Sequence, residues 1–122
     1  MGFQWSDFCV IAQYLLTHSG EPELPEEAAI RCAVSRAYYA AFRHALNYAK
    51  DNGDYTEPQI RSLNHKEIRK YFKKRNNVRV SIHLERLHQL RKEADYEDAA
   101  YNVDKKSAKS AISEAKKVLQ LK

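Results

Sequence analysis

The chain has 122 residues, of which 43% are apolar and 30% are charged, and its formal net charge is +5. This length suits one hydrophobic core of ordinary size, so we expect a single helical domain spanning residues 1–122. Three glycines and three prolines leave few positions that interrupt helices, and no long stretch alternates between polar and apolar residues. The composition therefore predicts an all-α fold and excludes a protein built on a β-sheet.

The positive charge narrows the classes of partner. Lysine and arginine number 21 against 16 aspartate and glutamate residues, and this balance favours anionic partners such as RNA, nucleotides or an acidic protein. An ordinary lysine-rich surface would give the same excess, so the charge alone does not identify the partner.

Neither a membrane nor a metal is indicated. No apolar run approaches the roughly 20 residues that span a bilayer, and no basic segment followed by an apolar core opens the chain. Cys9 and Cys32 lie far apart in apolar helical patterns, which predicts two buried thiols in a reducing compartment. No spacing of a zinc site and no phosphate-binding glycine loop occurs. We therefore expect a cytoplasmic protein that uses no membrane, cofactor or metal.

Capping residues and periodicity predict the helices of the first half of the chain. Ser6 is expected to cap a first helix that runs to about Thr17, with Gly20 just beyond its end. A second helix is expected to begin with Pro25 at its first position and to end near Asp51. Because its caps and its apolar stripe agree over seven turns, this helix is predicted to be the longest element.

A loop and a basic helix are predicted next. Residues 54–63 show no periodicity and are expected to form the loop. Asn64 and Glu67 are predicted to form a capping box for a third helix that ends near Arg75. The exposed side of this helix is basic and carries Lys66, Arg69, Lys70, Lys73, Lys74 and Arg75.

The remaining residues are predicted to form two helices. A fourth helix is expected over residues 80–94, and a final helix is expected to begin after a cap at Asn102 or Asp104. The chain is thus predicted to form a four- to five-helix up-and-down bundle.

The most unusual segment lies in the second helix and reads Ala-Val-Ser-Arg-Ala-Tyr-Tyr-Ala-Ala-Phe-Arg-His over residues 33–44. At 100° per residue, one stripe of this helix is apolar and is expected to pack in the core. A second face, here called the basic face, consists of Arg36, Tyr39, Arg43 and Asn47. We expect the basic face to bind RNA or a nucleotide, with the arginines on phosphate and Tyr39 available for stacking. Tyr38 borders the core stripe and is expected to be packed, with its hydroxyl hydrogen-bonded.

The fourth helix carries an arginine, Arg91, on the side that is predicted to face the core. Arg91 lies inside the apolar sector, with His88 and Asp95 close beside it. Because burying an isolated charge costs several kcal/mol, Arg91 must be paired or must line a cavity. One interpretation is a structural polar core in which Arg91 pairs with Asp95 and Tyr96 closes the end of the bundle. The other is a polar pocket in which Arg91 and His88 meet the Arg36 face.

Two motifs, in this order, resemble the HEPN superfamily. The first is Ser-Arg-Ala-Tyr-Tyr-Ala-Ala-Phe over residues 35–42, and the second is Leu-Arg-Lys-Glu-Ala-Asp-Tyr over residues 90–96. The combination is similar to short stand-alone HEPN proteins, which are small helical proteins of prokaryotic toxin–antitoxin and antiviral systems, many of them ribonucleases. The resemblance implies a homodimer that engages RNA, a nucleotide or a partner protein such as a cognate antitoxin.

The resemblance also implies a candidate catalytic site. HEPN ribonucleases carry an arginine followed after four to six residues by a histidine, and their proposed chemistry uses the RNA 2′-hydroxyl as nucleophile without a metal. Here Arg36 and His44 enclose seven residues, and one helical position turns a side chain by about 100°. The interval therefore disfavours catalysis by this pair.

Three functions remain open from the sequence. The favoured one is a binding module that uses the basic face. The alternative is a metal-independent endoribonuclease, with Arg36 and Arg43 as phosphate ligands and His44 or His88 as proton carrier. The third is a purely structural helical adaptor, against which the clustered arginines and tyrosine of the basic face argue.

Overall fold

The computed structural model describes residues 2–96 and 103–121, apart from the side chain of Tyr96. The predicted role of Tyr96 and the alternative cap Asn102 therefore lie outside the described residues. Five helices pack together: α1 (Asp7–Thr17), α2 (Glu26–Asn52), α3 (Asn64–Lys74), α4 (Val78–Tyr96) and α5 (Lys105–Val118). Because the described part of the chain contains no strand, the all-α prediction is confirmed.

The longest helix, α2, has 27 residues and contacts each of the other four helices. It begins at Glu26, one residue later than predicted, and Pro25 takes the N-cap position. Its buried stripe is rich in alanine, which lets the neighbouring helices approach closely. The alanines are Ala29, Ala33, Ala37, Ala40, Ala41, Ala45 and Ala49. Larger side chains such as Leu46, Ile68 and Phe72 fill the remaining core, and burial of each contributes roughly 1.5–3 kcal/mol.

The start of α3 differs from the prediction. Asn64 is the first residue of the helix, and no side chain caps this end. Instead, the Asn64 side chain is buried against the preceding loop, where its Oδ1 accepts a hydrogen bond from the Tyr55 hydroxyl at 2.6 Å and its Nδ2 donates to Glu57 at 2.9 Å. The predicted capping box with Glu67 is therefore wrong, because the loop takes up the hydrogen-bonding groups of Asn64.

Of the other two predicted helix caps, the cap of α5 is confirmed and the cap of α1 is not. Asp104 forms a capping box with Ser107, whose backbone N–H donates to the aspartate Oδ1 at 3.0 Å, so this predicted cap is confirmed. Ser6 precedes α1 as predicted, but its hydroxyl makes no capping hydrogen bond. A short 3-10 helix, Arg61–Leu63, occupies the end of the predicted loop.

The two cysteines have different environments. Cys9 is buried on the side of α1 that packs in the core, as predicted, and burial raises the pKa of its thiol. Cys32 is exposed, which contradicts the prediction, because it lies on α2 outside the stripe that faces the other helices. Across residues 2–96 and 103–121, no helix is both long enough and apolar enough to cross a bilayer.

Candidate functional site

The arginines of the basic face contact aromatic rings. The Arg36 Cζ atom lies 5.1 Å from the ring centroid of Phe8 and 5.7 Å from that of Tyr39. The Arg43 Cζ atom lies 4.9 Å from the ring centroid of Trp5. These distances are within the range of cation–π attraction, about 6 Å. Within the described residues, no carboxylate forms an ion pair with either arginine.

The rings that contact these arginines belong to one cluster, here called the aromatic cap, which consists of Phe3, Trp5 and Phe8. Their ring centroids lie 4.9, 5.5 and 5.3 Å apart in edge-to-face pairs, an arrangement that contributes about 0.5–1.5 kcal/mol per pair. The chain turns at this point because the backbone N–H groups of Asp7 and Phe8 donate to the carbonyls of Gln4 and Trp5 at 3.0 Å. The cap therefore lies at the start of α1, against α2.

Tyr39 and Asn47 complete the basic face. The Tyr39 hydroxyl accepts a hydrogen bond from Arg91 Nη2 at 2.9 Å, and the Arg91 Cζ atom lies 5.1 Å from the Tyr39 ring centroid. Asn47 is half-buried. Tyr39 thus contacts the guanidinium groups of both Arg36 and Arg91, and it links the basic face to a second group of polar side chains.

This second group, here called the polar cluster, forms where α2, α3 and α4 meet and consists of Tyr38, His65, His88, Arg91 and Asp95. Tyr38 is only 1% exposed, and its hydroxyl contacts His65 Nδ1. The ring centroids of His65 and His88 lie 6.0 Å apart, and the Arg91 Cζ atom lies 5.4 Å from the Tyr38 ring centroid. Three helices thus bring two imidazoles, a phenol and a guanidinium together.

The predicted pair of Arg91 and Asp95 is present in the structure. Arg91 Nε donates to Asp95 Oδ2 at 3.2 Å, and the Ser35 hydroxyl donates to the same oxygen at 3.2 Å. The side chain of Arg91 is 13% exposed and that of Asp95 is 28% exposed. The arginine is therefore nearly buried, as expected, whereas the aspartate reaches the surface more than expected.

Burial controls the protonation of the polar cluster. It lowers the pKa of His65 to about 4, with a further lowering by the positive charge of Arg91. It also lowers the pKa of His88, to which the charge of Arg69 adds, and it raises the pKa of Tyr38. At neutral pH both imidazoles are thus uncharged, and the phenol of Tyr38 keeps its proton. In this state each histidine can act as a proton acceptor but not as a general acid.

His44, the candidate catalytic partner of Arg36 that the interval disfavoured, does not lie on the basic face. His44 Nε2 is 2.7 Å from the backbone carbonyl oxygen of Leu121, just after α5. Eight helical positions separate Arg36 from His44, which corresponds to about 12 Å along the axis and about 80° around it. The structure therefore does not bring these two side chains together. His88, the other predicted proton carrier, lies in the polar cluster beside Tyr38.

His65 is the member of the polar cluster that the sequence analysis missed. Its ring stacks on Phe42 with 4.2 Å between centroids. A signal was present, because His65, Ile68 and Phe72 have the i, i+3, i+7 spacing of one helix face. That face turned out to be the buried one.

No metal site emerges from the described part of the chain, where no three potential ligands among histidine, cysteine, aspartate and glutamate come together. The two neighbouring imidazoles, His65 and His88, share their surroundings with the cation Arg91, which would repel a metal ion.

A family comparison agrees with this architecture. Residues 21–122 match the family model described as HEPN domain, so the chain belongs to the HEPN domain family. The matched range contains α2 to α5, whereas α1 and the aromatic cap precede it. No curated protein and no solved structure matches the chain.

Proposed function

We propose that this HEPN domain protein binds RNA or a nucleotide through Arg36 and Arg43. The observation that carries the proposal is that both cations contact aromatic rings, whereas neither forms an ion pair with a carboxylate among the described residues. The charge effect of Arg43 is weak, since the pKa of Glu57 is lowered chiefly by a hydrogen bond from Lys50 and only last by the charge of Arg43. Half-buried charges in proteins are normally paired. Aromatic rings orient a planar guanidinium while leaving N–H donors for the two-pronged hydrogen bonds that phosphate accepts.

The biological setting is proposed on the resemblance to short stand-alone HEPN proteins. It is a prokaryotic defence or toxin–antitoxin system in the cytoplasm, with an antitoxin as the partner protein. Bidentate hydrogen bonds from arginine suit phosphate and carboxylate alike. Recognition of RNA or a nucleotide is favoured over an acidic protein partner because the aromatic rings beside Arg36 and Arg43 suit a base that lies next to the phosphate.

The test compares two variants that lose the same charge. Binding of a fluorescein-labelled single-stranded RNA is measured by anisotropy over a salt series for the native protein, for Arg36→Ala/Arg43→Ala and for Arg61→Ala/Arg79→Ala. Arg61 and Arg79 are exposed and lie on other elements. We expect the first variant to lose at least about tenfold in affinity and about two phosphate contacts in the salt slope. Equal losses in both variants would mean diffuse attraction and would contradict the proposal.

A metal-independent endoribonuclease is the second candidate, and the polar cluster is the observation that favours it. Neutral His65 or His88 would accept the proton of the 2′-hydroxyl as its oxygen bonds to phosphorus, and Arg91 would stabilise the phosphate charge. As the bond to the 5′-oxygen breaks, that oxygen would take a proton from the histidine that has just been protonated or from water. The binding function is preferred because Arg91 already donates to Asp95 and Tyr39. Incubation of RNA with a chelator present throughout separates the candidates: cleavage that His65→Gln and His88→Gln abolish would establish the enzyme.

The resemblance also supports a homodimer. Val10 and Ile11 are exposed neighbours on α1, and a two-fold interface pairs one such patch with itself. Sedimentation velocity is expected to show a dimer that dissociates in Val10→Ser/Ile11→Ser. A monomer at all concentrations of the native protein would refute this part of the proposal.

A further inference from the structure

We infer that the ligand of the basic face is a single-stranded nucleic acid whose bases stack on the aromatic cap. This inference rests on the proposed function and narrows its ligand class. It uses a part of the molecule that lies before the range matched by the HEPN family model, namely Phe3, Trp5 and Phe8.

The first argument is the exposure of the cap. Phe3 is 59% exposed, although its ring packs edge to face against both Trp5 and Phe8. The contacts hold the ring in place and leave part of it open to solvent. An ordered, exposed aromatic ring is a platform on which a base can stack with little loss of conformational entropy.

The second argument is the position of the cap relative to the cations. Phe8 contacts Arg36 and Trp5 contacts Arg43, and the two arginines are seven positions apart, or about 10 Å along α2. A strand that follows α2 would therefore meet a cation beside an aromatic ring at both ends of its path. Backbone cations combined with stacking rings are the features by which proteins bind single strands.

The same arrangement suits other ligands less well. The bases of a duplex are already stacked on one another, so a duplex would use the arginines but not the rings. A mononucleotide would engage one of the two arginine–ring pairs. An acidic peptide would contact Arg36 and Arg43 but gain nothing from the base-stacking surface of Phe3.

The chain provides its own reporter for the first test, because Trp5 is the only tryptophan. Tryptophan fluorescence is followed during titration with a single-stranded oligouridylate of about 12 nucleotides, with a duplex RNA of equal length and with uridine monophosphate. We expect quenching by the single strand at the lowest concentration. Equal affinity for the duplex, or single-strand binding seen by anisotropy without a change in Trp5 fluorescence, would overturn the inference.

The second test uses a matched pair of exposed aromatic residues. Phe3 and Tyr14 are both 59% exposed, but only Phe3 belongs to the cap. We expect Phe3→Ala to weaken binding of the single strand by roughly fivefold to 100-fold, the range for one lost stack, and Tyr14→Ala to leave it unchanged. Because Tyr14 lies between Val10 and Ile11 on the same side of α1, both variants are compared at a concentration where sedimentation shows the oligomeric state of the native protein. Phe3→Leu should not restore binding, because stacking requires a planar ring.

The outcomes separate the inference from the proposed function. Loss of binding in Arg36→Ala/Arg43→Ala together with full binding in Phe3→Ala would overturn the stacking inference and leave phosphate recognition standing. Full binding in the arginine variant would overturn both. Circular dichroism and sedimentation of each variant check that neither folding nor oligomeric state has changed.

Discussion

The polar cluster and the basic face occupy neighbouring sides of α2, and their arginines differ in the groups that they contact. In the polar cluster, Arg91 is nearly buried and its hydrogen bonds are made within the protein, to Asp95 of the cluster and to Tyr39 of the basic face. On the basic face, Arg36 and Arg43 contact aromatic rings and, within the described residues, no carboxylate. A cation satisfied inside the fold stabilises the fold, whereas a cation with donors left over is available to a ligand. The contrast predicts which changes affect stability and which affect binding.

The largest effect on stability is expected from Arg91→Ala. The change leaves Asp95 without its cation and removes the hydrogen bond to Tyr39, so we expect the free energy of unfolding to fall by about 2–4 kcal/mol. Lys105→Ala is the control, because Lys105 pairs with Glu26 at 3.6 Å and both side chains are more than half exposed. Such surface pairs contribute about 0–1 kcal/mol. Urea unfolding measures both, and similar losses would contradict the contrast.

The second-largest expected effect is a loss of folding stability at acidic pH, caused by His65. His65 has a folded pKa of about 4 against about 6.5 in the unfolded chain. Between these values the unfolded state binds more protons, so the stability is fully present above about pH 6.5 and is lost as the pH falls toward 4. Because the imidazole is partly exposed, we expect a contribution of roughly 1–2 kcal/mol.

A comparison of variants tests whether His65 causes the loss of stability in acid. Urea unfolding at several pH values is compared for the native protein, for His65→Gln and for His18→Gln, whose imidazole contacts Glu21 near the surface. The acid loss should be smaller in His65→Gln and unchanged in His18→Gln. Parallel curves for all three proteins would show that His65 is not the titrating group.

The elements that sequence patterns predicted well are those whose cause is local. The length of α2 follows from an apolar stripe and from end signals within the helix itself, and the Asp104 cap depends on Ser107 three positions away. The Asn64 cap failed because its competitors, Tyr55 and Glu57, lie in a loop whose path no periodicity indicates.

The candidate site was predictable only in part, for a related reason. A helical wheel places Arg36 and Arg43 on one face, but it does not show that an N-terminal segment with its own turn lays Trp5 against that face. It likewise places His65 on the core side of α3 without showing that Tyr38 would be the group it meets. Contacts between helices depend on packing at long range, which a single helix does not encode.

A smaller effect on stability is expected for Arg36→Ala/Arg43→Ala. Each cation–π contact with the cap contributes about 0.5–1 kcal/mol, and loss of the buried, unsatisfied Arg43 Nε offsets part of the cost. We expect a net loss of about 1 kcal/mol in urea unfolding, together with the strong loss of RNA binding described above. A loss as large as that of Arg91→Ala would make these arginines structural and would remove the contrast.

The smallest effect is expected for His44→Ala, and it distinguishes the standard HEPN ribonuclease arrangement from the one seen here. His44 contributes one hydrogen bond to the Leu121 carbonyl near the end of α5, so its removal should cost about 0.5 kcal/mol of stability. Because its imidazole lies about 12 Å along α2 from Arg36, we expect unchanged affinity for single-stranded RNA. Anisotropy measures the affinity, and gel analysis with a chelator present tests for cleavage. RNA cleavage by the native protein that disappears in His44→Ala would instead make the displaced histidine a working catalyst, with Arg36 brought to it by a rearrangement or by a second copy of the chain.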